Sequence, residues 1–142
     1  KAIQNSNTVA MSLSDLFCVE RHKAHFLDLV KNKLDITFAN EQEIMSLINT
    51  KDFNDVIEFS KQIKKLLVIT RGNKGAIAIK GDEIAECGIQ KNLKILDLTG
   101  AGDLFAAGFL HGYINNLSLK KNLEKGTEMS SKIIQKIGAR LN

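Results

Sequence analysis

Hydrophobic residues follow two different spacings along the chain, and the alternation of these spacings predicts an α/β protein. Short apolar runs predict strands at 8–13, 34–39, 66–70, 76–79, 83–85 and 93–96. Segments with apolar residues three or four positions apart predict amphipathic helices at about 21–33, 41–49, 53–65, 102–115 and 118–137. Strands that alternate with helices are typical of a mainly parallel sheet flanked by helices.

Local patterns refine this prediction. The run at 8–13 is expected to be a buried strand, and residues 12–18 are expected to form a connecting loop because Ser14 and Asp15 favour a turn. The tripeptide 80–82 separates two apolar runs, which predicts a hairpin. One face of the helix at 53–65 is expected to point inward, and its residues are Phe53, Val56, Ile57, Phe59 and Ile63.

Composition limits the class of protein. A chain of 142 residues is enough for about one domain. The net charge of +4 comes from scattered lysines without a basic run or an aromatic platform, which argues against a nucleic-acid partner. No stretch approaches the roughly 20 apolar residues that span a membrane. The cysteines, Cys18 and Cys87, match no metal-binding spacing, which favours a reduced, cytoplasmic protein.

A glycine turn near the end of the chain is the clearest candidate for chemistry. An apolar run leads to Gly100 and Gly102, and a helix of small and apolar residues follows at once. Glycines bring bare amides close to a ligand, and the first amides of a helix lack partners, so this segment predicts an anion site, most simply for phosphate. Asp103 would repel an anion there, and proton abstraction from an attacking hydroxyl is a good reason for its presence.

The same segment resembles a family signature. Residues 97–103, Asp-Leu-Thr-Gly-Ala-Gly-Asp, are similar to the Asp-Thr-x-Gly-Ala-Gly-Asp pattern of the ribokinase-like (PfkB) family of sugar and nucleoside kinases, with Leu98 where Thr is usual. The resemblance implies a ribokinase-like three-layer α/β sandwich. It implies that Asp103 is the catalytic base, and that the amides at Gly100, Ala101 and Gly102 line an anion hole that extends to Asp103.

Two upstream segments match further family motifs. Asn40 and Glu43 fit an Asn-x-x-Glu motif after a predicted strand, and the resemblance implies that they hold Mg²⁺ through water. An alternative is a capping box, in which Asn40 caps a helix and Glu43 bonds back to it; both can hold together. Thr70, Gly72 and Gly75 fit a Thr-x-Gly-x-x-Gly segment that lies along the nucleotide in the family. Turn chemistry alone is the alternative there.

Two further sets of positions follow from the resemblance. Gly126 and Thr127 match the place beside the adenine of ATP by spacing, although helix packing alone would also explain them. Asp97 and Thr99 match positions near the family's monovalent cation site, so Asp97 is a candidate K⁺ ligand. The alternative for Asp97 is a strand-end carboxylate that pairs with a nearby amide or lysine.

The resemblance implies an ATP-dependent kinase that phosphorylates a hydroxyl of a small-molecule sugar or nucleoside. Among family members, the sequence most resembles the bacterial adenosine kinase-like proteins, followed by the ribokinase and fructokinase relatives. Residues 1–142 are expected to be the carboxyl-terminal, nucleotide-binding part of one domain, and this part alone is expected to be inactive. The amino-terminal half would carry the acceptor pocket and a lid, and the family's lid often makes a homodimer contact. The alternatives are a dinucleotide-binding module and a non-catalytic nucleotide-binding domain.

Overall fold

The computed structural model describes residues 8–13, 16–88 and 101–138, with side chains described to residue 132. Five strands form one sheet in the order β1–β2–β3–β4–β5. They are β1 (Ala10–Ser12), β2 (Ile36–Asn40), β3 (Leu66–Thr70), β4 (Ala76–Lys80) and β5 (Glu83–Cys87). Strand β2 runs parallel to both β1 and β3, which confirms the predicted α/β class with a mostly parallel sheet.

Within the described ranges, helices connect β1 to β2 and β2 to β3, and two more helices follow β5. They are α1 (Leu16–Arg21), α2 (Lys23–Asp28), α3 (Glu41–Leu47), α4 (Phe53–Ile63), α5 (Ala101–Ile114) and α6 (Leu119–Gly138). A π-helical turn, Leu29–Lys33, continues α2, and a 3₁₀ turn, Gly72–Lys74, lies between β3 and β4. None of the helices in these ranges is long and apolar enough to cross a membrane.

The chain forms two compact units. The first contains the described residues up to Arg71 together with Ala78–Ile84. Its strands β2 and β3 are buried on both faces, as continuous apolar runs in parallel sheets usually are. The helices add fully or almost fully buried apolar side chains, namely Val19, Ile44, Leu47 and Val56. Burying an aliphatic side chain of this size contributes about 1.5–3 kcal/mol, so this core dominates the stability of the unit.

The second unit contains Gly72–Ile77 and the described residues from Ala85 onward. Helices α5 and α6 pack closely against each other in antiparallel directions. A Cβ atom at Gly108 would lie 2.6 Å from the carbonyl oxygen of Lys125, and one at Gly126 would lie 2.7 Å from that of Phe105. Small residues therefore allow the two helix backbones to meet. Phe105, Phe109 and Leu123 are buried along this contact.

Most predicted elements are confirmed, with ends that shift by at most two residues. Strand β3 has the predicted bounds, and the helices at 41–49, 53–65, 102–115 and 118–137 correspond to α3, α4, α5 and α6. The β4–β5 hairpin is confirmed, with Gly81 in its turn at a φ of 59°. On α4, Val56 is buried, while the other predicted inward residues are half-buried. The strand predicted at 93–96 lies outside the described residues.

Two predictions near the start of the chain are wrong. Strand β1 is not buried: Ala10 and Ser12 are exposed, because β1 is the end strand of the described sheet and pairs with β2 alone. The loop predicted at 12–18 ends early, since α1 begins at Leu16. Helix α1 forms there because it can bury Val19, which is fully inaccessible to solvent.

The helix predicted at 21–33 is divided rather than continuous. His22 adopts a φ of −130° and a ψ of 36°, which is outside the helical range and separates α1 from α2. After Asp28 the backbone widens into the π-helical turn. The amide of Leu34 closes that turn by donating to the carbonyl oxygen of Leu29 at 2.8 Å. Sequence periodicity does not distinguish a π turn from an α turn over five residues.

Candidate active site

The first group of predicted site residues lies at the carboxyl ends of two neighbouring parallel strands. Asn40 ends β2, Thr70 ends β3, and their Cα atoms are direct partners in the strand register. Glu43 lies in the first turn of α3, which begins at Glu41 directly after the strand. Ligands bind at the carboxyl ends of strands in open α/β sheets, so Asn40, Glu43 and Thr70 are brought together where such a site is expected.

Asn40 and Glu43 form the capping box that was one interpretation of their sequence. The Glu43 amide donates to Asn40 Oδ1 at 2.8 Å, and the Asn40 amide donates to Glu43 Oε2 at 2.8 Å. The glutamate is 5% exposed, while Asn40 is exposed. Both side chains supply oxygens, the ligand type that Mg²⁺ prefers. The donor set therefore fits a hydrated Mg²⁺ ion.

Arg71 is bound to the same strand ends, although the sequence interpretation assigned it no role. Its Nη2 atom lies 3.2 Å from Oε1 of Glu41, the residue that follows Asn40. Its guanidinium carbon lies 3.7 Å from the ring centroid of Phe53, the first residue of α4. No sequence signal links these residues, because Arg71 and Glu41 are 30 positions apart.

The second group of predicted residues forms a tight turn after β3. Gly72 and Gly75 both have positive φ angles, 56° and 87°, and the Gly75 amide donates to the Gly72 carbonyl oxygen at 3.1 Å. The segment therefore forms a turn, which both interpretations of it require. Gly72 is exposed, and a Cβ atom there would meet no atom of the described residues within 4 Å. Its backbone is therefore open to close approach by a ligand, which fits the predicted contact with a nucleotide.

Cys87 connects this turn with the last helix, and the sequence analysis missed it. Its carbonyl oxygen occupies the space where a Cβ atom of Gly75 would be, at 1.9 Å. Its thiol sulfur lies 3.8 Å from the hydroxyl oxygen of Thr127, which also donates to the carbonyl oxygen of Leu123 at 2.9 Å. Cys87 therefore lies against both Gly75 and Thr127. Gly126 is buried, and its lack of a side chain is explained by helix packing.

Asp103 lies in the first turn of α5, and its side chain is exposed. The helix begins at Ala101, so the amides of Ala101, Gly102 and Asp103 are among the first four of the helix, which have no partner within it. Among the described residues, none has an atom within 4 Å of a Cβ atom placed at Gly102, so packing against this part of the chain does not require a glycine there. An accessible carboxylate beside open helix-terminal amides can accept a proton next to a bound anion.

The remaining predicted site residues, Asp97, Thr99 and Gly100, lie outside the described residues, as does the side chain of Ala101. Among the described residues, no group of three His, Cys, Asp or Glu side chains could hold a metal ion.

Comparison with known proteins identifies relatives across the chain. The sequence model of the family described as "pfkB family carbohydrate kinase" matches residues 1–142. Cytidine kinase from Thermococcus kodakarensis is 33% identical over 112 residues, which cover 77% of this chain and 40% of the relative. The chain thus spans about two fifths of the length of that relative.

Solved structures agree with this result. A probable sugar kinase from Rhizobium etli is 38% identical with a TM-score of 0.88, over 94% of this chain and 41% of that one. Adenosine kinase from Sinorhizobium meliloti is 38% identical with a TM-score of 0.86, over 92% of this chain and 40% of that one. The ribokinase-like α/β fold expected from the sequence is confirmed.

Proposed function

Because the chain belongs to the pfkB family of carbohydrate kinases, we propose that its protein transfers the γ-phosphoryl group of ATP to a hydroxyl of a sugar or nucleoside. The observation that carries this proposal is the placement of Asp103, exposed in the first turn of α5 beside helix-terminal amides. A site that only binds phosphate gains nothing from a carboxylate there, whereas phosphoryl transfer needs a proton acceptor.

In the proposed reaction the acceptor hydroxyl oxygen attacks the γ-phosphorus of ATP. A new bond forms between them, the bond from that phosphorus to the bridging oxygen breaks, and ADP leaves. The hydroxyl proton goes to the Asp103 carboxylate. The amides of Ala101, Gly102 and Asp103 donate to the oxygens of the transferring group, whose charge grows in the transition state. Gly100 belongs to this anion hole by its place in the signature.

The other predicted residues have binding roles in this proposal. Asn40 and Glu43 would hold Mg²⁺ through water, and the bound ion would neutralise charge on the phosphates. Thr70, Gly72 and Gly75 would lie along the nucleotide. Gly126 and Thr127 would lie beside the adenine, where the Thr127 hydroxyl is already held by the Leu123 carbonyl oxygen. Asp97 and Thr99 are proposed for a monovalent cation such as K⁺.

A nucleoside is the first acceptor to test. Two of the relatives named above, a cytidine kinase and an adenosine kinase, have nucleosides in their names, while a third is a probable sugar kinase. The full-length protein should be assayed for ADP formation with adenosine, cytidine, ribose and fructose. ADP formation that depends on one acceptor supports the proposal. A protein that binds ATP but transfers to none of them supports a non-catalytic nucleotide-binding domain instead.

Glu43→Gln separates metal binding from helix capping. Glutamine can still accept the Asn40 amide in the capping box, so we expect little change in the free energy of unfolding. The substitution removes the negative charge that would attract Mg²⁺. We expect the Mg²⁺ concentration for half-maximal transfer to rise by about 10-fold, as is common when a metal site loses one of its supporting groups.

The measurement is a titration of transfer rate against free Mg²⁺ for wild-type and variant proteins. Glu58→Gln is a suitable control, since Glu58 is an exposed carboxylate that pairs only loosely with Lys61, at 3.6 Å. An unchanged Mg²⁺ dependence in Glu43→Gln would leave this residue with its capping role alone.

A further inference from the structure

We propose that Arg71 is a positioning residue for the predicted Mg²⁺ ligands, because it fixes the start of α3, where Asn40 is the cap and Glu43 is the third residue. This inference rests on the proposed function and deepens it. Arg71 follows Thr70 at the end of β3, and Glu41 follows Asn40 at the end of β2. The Arg71–Glu41 ion pair therefore lies directly beyond the last register pair of these two strands.

The contacts of Arg71 hold its side chain in one place. The guanidinium donates through Nη2 to Glu41 at 3.2 Å, and the same planar group lies 3.7 Å from the Phe53 ring centroid. The side chain is 17% exposed, and its Nε atom is buried with no hydrogen-bond partner among the described residues. Solvent screens the attraction between Arg71 and Glu41 much less than it screens a surface ion pair, because the guanidinium is partly buried and stacked on a ring.

Helix stability does not account for this arrangement. Glu41 and Phe53 are the first residues of α3 and α4, so Arg71 places a positive charge beside two helix amino termini. The positive end of a helix dipole disfavours a cation there. The ion pair with Glu41 offsets this repulsion, and the buried Nε atom adds a desolvation cost. Local costs of this kind are often found where they order a functional site.

The consequence is that the two side chains of the capping box, Asn40 and Glu43, are held in one orientation. Glu41 is adjacent to Asn40 in the chain and two residues before Glu43, so an anchored Glu41 restrains both oxygen donors. Arginine suits this task because its flat guanidinium can stack on a ring and donate to a carboxylate at the same time. Lysine carries the same charge but has a single compact ammonium group and cannot do both.

The test uses the full-length protein with Arg71→Met, Arg71→Lys and Glu41→Ala. Lys61→Met is the matched control, because it breaks another ion pair of the first unit, one that is exposed and lies within α4. One readout is the free Mg²⁺ concentration for half-maximal phosphoryl transfer. The other is the hydrogen-exchange rate of the Asn40 and Glu43 amides in protein without Mg²⁺ or ATP.

We expect both Arg71 variants and Glu41→Ala to raise the half-saturating Mg²⁺ concentration by about 10-fold, the lower end of the range for residues that support metal ligands. The two capping-box amides should exchange faster in the same variants. Combining Arg71→Met with Glu41→Ala should add little, because the two side chains act as one pair. Lys61→Met should leave both readouts unchanged.

A purely structural role would lower the unfolding temperature of Arg71→Met but leave its half-saturating Mg²⁺ concentration unchanged, and that result would overturn the inference. Wild-type behaviour of Arg71→Lys beside an impaired Arg71→Met would also overturn it, because charge alone would then suffice. An active wild type is required for either outcome. A wild-type protein that transfers no phosphate to any acceptor defeats the proposed function, and this inference fails with it.

Discussion

Asp103→Asn is expected to lower the rate of phosphoryl transfer by about 10²–10⁴-fold, the usual effect of removing a positioned general base. Asparagine has nearly the same size and shape but cannot take the proton of the acceptor hydroxyl. The side chain is exposed in the first turn of α5, so the substitution leaves no cavity and no unpaired buried group. ATP binding and the unfolding temperature should therefore stay close to those of the wild type.

The measurement pairs the transfer rate at saturating ATP and acceptor with the dissociation constant for ATP. Asp55→Asn is the matched control, since Asp55 is also an exposed acid in the first turn of a helix, α4, where it accepts a hydrogen bond from Thr50. This control should retain its transfer rate. If Asp103→Asn kept most of its activity, Asp103 would not be the base.

Gly75→Ala is expected to destabilise the protein by about 3 kcal/mol or more, because two penalties act at one position. The backbone there has a φ of 87°, which residues with a side chain rarely adopt. A Cβ atom would also lie 1.9 Å from the backbone carbonyl oxygen of Cys87, which cannot move away as a flexible side chain would. Relief of this clash requires the turn and the end of β5 to separate.

Gly72→Ala provides the comparison. Gly72 shares the positive φ, at 56°, but in the described part of the chain no atom lies within 4 Å of a Cβ atom placed there. We expect the free energy of unfolding of Gly72→Ala to fall by only about 1 kcal/mol, the cost of the left-handed backbone alone. Urea unfolding of both variants measures the difference between them. Equal losses in the two variants would show that the close approach of Gly75 to Cys87 does not limit stability.

The elements that sequence predicted well are those whose signals are local. Strand β3 is a continuous apolar run, and its bounds are as predicted. Helix α3 begins where Asn40 and Glu43 stand three residues apart, which is the spacing of a capping box, and both of its hydrogen bonds are present. Such signals depend on residues within one helical turn, so they can be seen without knowledge of the fold.

Features that sequence did not predict depend on residues far apart in the chain. Ser60 was not among the expected inward residues of α4, yet it is buried, and its hydroxyl donates to the Ile79 carbonyl oxygen at 3.2 Å. Cys87 approaches Thr127 across 40 positions. These contacts arise only when the elements pack, and neither residue has a sequence pattern that indicates its partner.

The candidate site likewise contains residues that the sequence indicates and one, Arg71, that it does not. Family resemblance supplied Asn40, Thr70 and Asp103, and the structure places each at a strand end or helix start, as their motifs require. The resemblance could not supply Arg71, since the family pattern leaves that position open. Its pairing with Glu41 and its stacking on Phe53 appear only in three dimensions.

The central claim is phosphoryl transfer from ATP to a hydroxyl, and phosphorus NMR of a complete reaction tests it most directly. The full-length protein would be mixed with ATP, Mg²⁺ and each acceptor in turn. We predict that one acceptor, and none of the others, gives a new phosphomonoester signal. One phosphomonoester should form for every ADP. ADP that appears with inorganic phosphate alone, or no ADP with any acceptor, would contradict the claim.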